Sequence, residues 1–165
     1  MLKIVTYLFI CSVVLGLCAQ ATVFAQTVTL TATVTTQNIS VSVSPGSISW
    51  GTLGQNTASS TNPAFSQTAT NGGNIAEDFN IRGQNSADWT LAATTGTNQY
   101  VESYCTTACT AAPTNFSALT TNYQTLKTNV SASGTQRFDV YLVTPNPSTS
   151  FTQQSVDITL QAVAH

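Results

Sequence analysis

The feature that most constrains this chain is a period-two alternation that recurs along much of its length. Val28, Leu30, Ala32 and Val34 are interleaved with Thr27, Thr29, Thr31, Thr33 and Thr35, and Ile39, Val41 and Val43 with Ser40, Ser42 and Ser44. Successive side chains of a β-strand point to opposite faces, so this spacing sets an apolar face against a hydroxyl face. A helix does not satisfy the pattern, because its apolar positions recur every three to four residues. Threonine, β-branched and half polar, suits the solvent face of a sheet. The pattern predicts antiparallel sheet buried on one side.

Composition sharpens this. Thr, Ser, Asn and Gln supply 71 of the 165 residues, while charged residues supply only 6%; an ordinary globular protein carries roughly 25%. Four Lys and Arg build no cationic surface, which excludes a nucleic-acid binder. The shortage of Glu and Lys excludes a long solvated helix or coiled coil. A hydrophobic content of 42% with a net charge of -2 argues against charge-driven disorder.

The amino terminus reads as an address. Lys3 precedes an apolar run from Ile4 to Leu17, followed by Ala19, Ala21 and Ala25. Residues 1–25 are predicted to be a secretory signal peptide cut after Val23-Phe24-Ala25, with Ala19-Gln20-Ala21 as a second candidate site. Ile4 to Ala25 is also long enough to span a bilayer uncut, but Gln20 and Thr22 interrupt its last third. A lipid anchor on Cys18 wants a small residue before it, where Leu17 stands. Residues 26–165 are expected to be a single domain, secreted or held at the cell surface, with no membrane association once the signal is cleaved.

Cys105 and Cys109, in Cys105-Thr106-Thr107-Ala108-Cys109, read as a local disulfide in an oxidising compartment. A metal site needs more ligands than they provide, and the single histidine is the last residue, His165, expected to be mobile. A redox pair wants two intervening residues, not three.

Along the chain, strands are expected at 26–36, 39–44, 47–50, 64–70, 75–82, 88–93, 100–104, 136–143 and 155–164. Asn71-Gly72-Gly73-Asn74 reads as a hairpin turn, because Asn and Gly accept positive φ. Residues 52–63 and 105–115 read as loop. In residues 116–130 the apolar spacing is helical, but without a charged face the segment is assigned to loop and short strand. Eight or nine short strands with turns between them predict an all-β, antiparallel β-sandwich.

No catalytic residues emerge. Glu77 and Asp78 adjoin and so point to opposite faces of a strand, and Asp88, Glu102, Asp139 and Asp157 are isolated. Carboxylates brought together by folding would be needed for a glycosidase pair or a calcium site. No phosphate-binding glycine motif, nucleophile elbow or zinc-protease motif is present, so the chain is read as a non-enzyme with no cofactor. Trp50 and Trp89 are candidates for an aromatic, sugar-stacking surface; the competing assignment, preferred here, places both in the core. Asn38, Asn115 and Asn129 begin Asn-x-Ser sequons, which chance supplies in so polar a chain.

The run Ile39-Ser40-Val41-Ser42-Val43-Ser44-Pro45-Gly46-Ser47-Ile48-Ser49-Trp50-Gly51 resembles the opening of prokaryotic secreted immunoglobulin-like domains. Asn71-Gly72-Gly73-Asn74-Ile75-Ala76-Glu77-Asp78-Phe79-Asn80-Ile81 is similar to the next hairpin of that group. Asp88-Trp89-Thr90-Leu91 resembles the Trp-x-Leu signature of a cell-wall-binding surface domain, whose second Trp-x-Leu is absent, so peptidoglycan binding is not carried over. The resemblance covers under half of residues 26–165. It implies an immunoglobulin-like sandwich.

The function expected is structural or adhesive, in a prokaryotic envelope. The scarcity of charge leaves sheet edges unguarded, so Gln26 to Thr36 is either the first strand of its own domain or a strand added to a neighbouring copy's sheet, building a filament. Partners are then further copies or cell-surface polymers. A carbohydrate-binding module using exposed aromatics is the alternative.

Overall fold

The computed structural model describes residues 26–165; the predicted signal peptide and its cleavage sites lie outside the described residues. The chain divides at Thr35–Thr36, and residues 36–165 form one compact unit. That unit is all-β. Its strands are β1 (Val41–Ser44), β2 (Ala58–Ser60), β3 (Gln67–Asn71), β4 (Glu77–Gly83), β5 (Thr90–Leu91), β6 (Gln99–Cys105), β7 (Ser117–Ala118), β8 (Gln124–Val130), β9 (Thr135–Val143) and β10 (Ile158–Ala164). Among the described residues no helix is long and apolar enough to cross a membrane.

Two sheets form. The larger has the order β1-β3-β9-β6-β5, with β2 also on β9 and β7 on β6; the smaller is β10-β4-β8. Pairing is antiparallel except for β5 with β6, which is parallel. The nine-residue β9 organises the larger sheet. Its first half pairs with β3, its second half pairs with β2 on that same edge, and β6 runs along the other edge. Between β2 and β3 the Thr61 hydroxyl accepts the Val140 N–H at 2.8 Å. The buried Asp139 carboxylate holds the turn that follows, accepting from Thr61 Oγ1 at 3.2 Å, Asn62 Nδ2 at 3.1 Å and the Ser66 hydroxyl.

The core lies between the sheets. Phe79 and Ile81 of β4 and Leu126 and Val130 of β8 meet Ala69 of β3 and Phe138 and Val140 of β9, with Leu119 beside them. Each large apolar side chain fully removed from water contributes roughly 1.5–3 kcal/mol. The inward phase of β4 begins with Glu77, fully buried, whose Oε1 accepts the Ser40 N–H at 2.8 Å.

Several sequence expectations are corrected. Residues 26–36 carry no strand, and Val28, Leu30 and Val34 are 93%, 91% and 92% exposed. Alternation decides which residues share a face, but a strand exists only where another strand bonds to it. Residues 47–50 are not a strand either, because Gly46 and Gly51 adopt φ of 76° and 68° and bend the chain at both ends. The expected loop 52–63 contains β2, which β9 is long enough to recruit. The strand expected at 88–93 is reduced to the two residues of β5.

Asn71–Asn74 is not a hairpin turn. It links β3 of one sheet to β4 of the other, and none of its residues has positive φ. Asn71, buried, makes the crossing with its side chain: Nδ2 donates to Ile75 O and Val130 O, and Oδ1 accepts the Gly73 N–H. Gly73 is required for space, since a Cβ there would lie 2.3 Å from both Asn38 O and Glu77 Oε1.

Candidate functional site

The sandwich is open on one side. On the open side, β1 ends the larger sheet and β10 ends the smaller. Val41 and Val43 of β1, Ile158 and Leu160 of β10, and Ile48 and Trp50 between them all pack against the core yet remain only partly buried. They surround a groove made of two hollows of about 540 and 780 Å³ that share Ile48, Trp50 and Val156. Phe138 and Val140 line the first hollow; Trp89, Leu142 and Phe151 line the second.

The open side has a local cause. Gly46 and Gly51 turn residues 46–51 away from strand geometry, so no strand continues β1 toward β10. Prolines 145 and 147 likewise interrupt the chain after β9. The stretch before β10 is held by the exposed Asp88, which accepts from Ser150 Oγ at 2.6 Å and Gln154 Nε2 at 2.9 Å. Those two hydrogen bonds hold the Asp88 carboxyl below its ordinary range.

Trp50 and Trp89, the candidate aromatic-binding residues, both line the second hollow. Both are half-buried: neither is sealed in the core, and neither stands out as a platform. Trp89 Nε1 donates to Ser148 Oγ at 3.0 Å, and its ring tilts on Tyr100 at 6.3 Å between centroids. Phe151 adds an 83% exposed ring at the rim.

Glu102 borders the first hollow together with Asp157. Its side chain is buried, and Oε2 has no hydrogen-bond partner among the described residues. Burial, and then the charge of Asp157, push the Glu102 carboxyl up to about 8. Near neutral pH it is therefore mainly protonated, an acid that can donate as well as accept a hydrogen bond.

The other acids are spread out. Asp78 accepts the Asn129 N–H at 2.8 Å and meets His165 Nδ1 at 2.8 Å. The backbone N–H of Asn129, and after it His165, hold the Asp78 carboxyl low. His165, expected to be mobile, is tethered there, and its own N–H donates to Ala76 O at 3.1 Å. Among the described residues no group of three or more His, Cys, Asp and Glu comes together. Cys105 and Cys109 form the disulfide, with their Cα atoms 5.6 Å apart, and Cys105 is the last residue of β6.

In the strand expected at 155–164, Val156, Ile158, Leu160 and Ala162 alternate with polar residues and one other apolar residue, Val163, and so mark one inward face. That alternation does not reveal that the face is left only partly buried, because strand count per sheet is not a local property. Comparison of the chain with protein-family models, with curated proteins and with solved structures gives no match. What stands is a small all-β domain with two partial sheets, one groove between their edges and a neutral, hydroxyl-rich surface.

Proposed function

We propose that the protein is a non-catalytic structural or adhesive component of a prokaryotic envelope, secreted or surface-held, with an immunoglobulin-like sandwich that associates with further copies by β-strand addition. The observation that carries this reading is the state of residues 26–35. Among the described residues the cleanest strand pattern in the chain bonds to no strand, and Val28, Leu30 and Val34 lie almost fully in water. Leaving such side chains exposed forgoes roughly 1.5–3 kcal/mol each, which pairing in an assembly recovers. Electron microscopy with light scattering on the secreted protein tests this. Filaments that vanish on deletion of residues 26–36, while the remaining domain stays folded, support it; a strictly monomeric full-length protein refutes it.

A second reading has one observation in its favour. Trp50, Trp89 and Phe151 converge on one hollow, the kind of apolar wall on which a sugar ring stacks. Glycan binding that is lost in Trp50→Ala and Trp89→Ala but kept in the deletion of 26–36 favours this carbohydrate-binding alternative.

A further inference from the structure

We infer that the groove between β1 and β10 is the seat for residues 26–36 of a second copy of this chain, which add a strand to the free edge of β10. The inference rests on the self-association reading above and names the surface it uses.

The smaller sheet is one strand short. The order β10-β4-β8 faces a larger sheet whose main path has five strands, so β10 and β1 leave apolar side chains half covered. Every position of β10 except Gln161 and Ala164 is intermediate in burial. Among the described residues, the edge of β10 away from β4 pairs with no strand. A bare edge above an apolar groove is a template for pairing.

The exposed arm matches that template. Thr27 to Thr35 extends about 30 Å at roughly 3.3 Å per residue, enough to run the length of β10 and its lead-in. Its apolar positions, Val28, Leu30, Ala32 and Val34, have the same two-residue spacing as Val156, Ile158, Leu160 and Ala162. The opposite face of the arm is threonine throughout, suited to the outer surface of a sheet. The arm carries no charged side chain, so its entry buries no side-chain charge.

The occupant is a second copy because the arm's own hinge is committed. An arm that doubles back along the strand it precedes needs a chain reversal ahead of Val41. The stretch 36–40 is instead bonded to the β3–β4 link: Asn38 N–H donates to Asn74 Oδ1, Asn74 N–H to Asn38 O, and Gly72 N–H to Ser40 O. Thr36 O also accepts from Asn74 Nδ2. No Gly or Pro lies between Gln26 and Ser44 and none of these residues has positive φ, so the stretch lacks the residues that favoured hairpin turns use.

The test is disulfide trapping in the full secreted chain. Leu30→Cys is combined in turn with Ile158→Cys, Leu160→Cys, or the control Thr128→Cys, an exposed position on β8 at the far edge of the same sheet. Directly opposed strand residues lie within disulfide reach. A reducible ladder of multimers with Ile158→Cys or Leu160→Cys, absent with Thr128→Cys and with Leu30→Cys alone, is expected. A ladder only with Thr128→Cys overturns the groove but leaves self-association standing. A cross-linked monomer shows the arm in its own groove and overturns the second copy. Monomers throughout, in wild type as well, sink both readings. As a check that does not touch the groove, Leu30→Asp, at a side chain 91% exposed, is expected to stay folded and lose the multimers; retained multimers overturn the inference.

Discussion

Asn38 and Asn74 hold each other by two hydrogen bonds, Asn38 N–H to Asn74 Oδ1 at 2.8 Å and Asn74 N–H to Asn38 O at 3.1 Å. They tie the chain ahead of β1 to the link that carries β3 into β4. Asn74→Ala removes the side-chain acceptor and also the donor to Thr36 O. Both bonds are solvent-exposed, so the expected loss is about 1 kcal/mol. Urea unfolding checks it, and an unchanged midpoint means that water replaces the clamp at no cost.

Glu102 gives stability a pH dependence with a definite sign. Its folded value, about 8, lies above its ordinary 4.5, so the native state binds more protons than the unfolded state between those values. Stability then falls as pH rises through that window and levels off above it. The neighbouring Asp157 deepens the effect, while the lowered Asp78 and Asp88 act in the opposite direction only at acid pH. Urea midpoints measured between about pH 5 and pH 8 should decline in the wild type and stay nearly flat in Glu102→Gln. A wild-type midpoint that rises across this range contradicts the assignment.

Core and arm should respond oppositely to substitution. Ile81 is fully buried, and Ile81→Ala is expected to cost about 2–5 kcal/mol. Leu30→Asp in the exposed arm should change monomer stability by less than about 0.5 kcal/mol. Thermal unfolding of both variants under monomeric conditions makes the comparison; a large loss from Leu30→Asp would place the arm inside its own fold.

The disulfide should matter locally. Cys105 and Cys109 are four residues apart in sequence, and so short a loop restricts the unfolded chain little. The double Cys→Ala variant is expected to lose about 2 kcal/mol or less. Calorimetry checks this, and a chain that no longer folds would assign the bridge a larger role.

Much of the strand content was legible in the residues. Phe79 with Ile81, Phe138 with Val140, and Ile158 with Leu160 declare β4, β9 and β10 by spacing alone. The apolar face of β10 was legible too, but not that it would be only half-buried. Not legible were the pairings. β2 is three weakly patterned residues that exist as strand because β9 offers them an edge. Asn71–Asn74 carries the composition of a hairpin and serves as a crossing between sheets, because the side chain of Asn71 bonds across to Val130 O.

The sequence by itself determined the all-β class, the faces of its long strands, the cysteine pair and the neutral, hydroxyl-rich surface. These are consequences of residue type and period, which act over a few residues. The tertiary structure alone decided how many strands each sheet holds. Among the described residues, that number left β10 with a free edge, Trp50 and Trp89 on one groove wall, Glu102 buried without a partner for Oε2, and Val28 to Val34 with no strand to join. Each of these depends on which distant segments meet, and pairing between segments far apart in the chain is set by global packing rather than by local pattern.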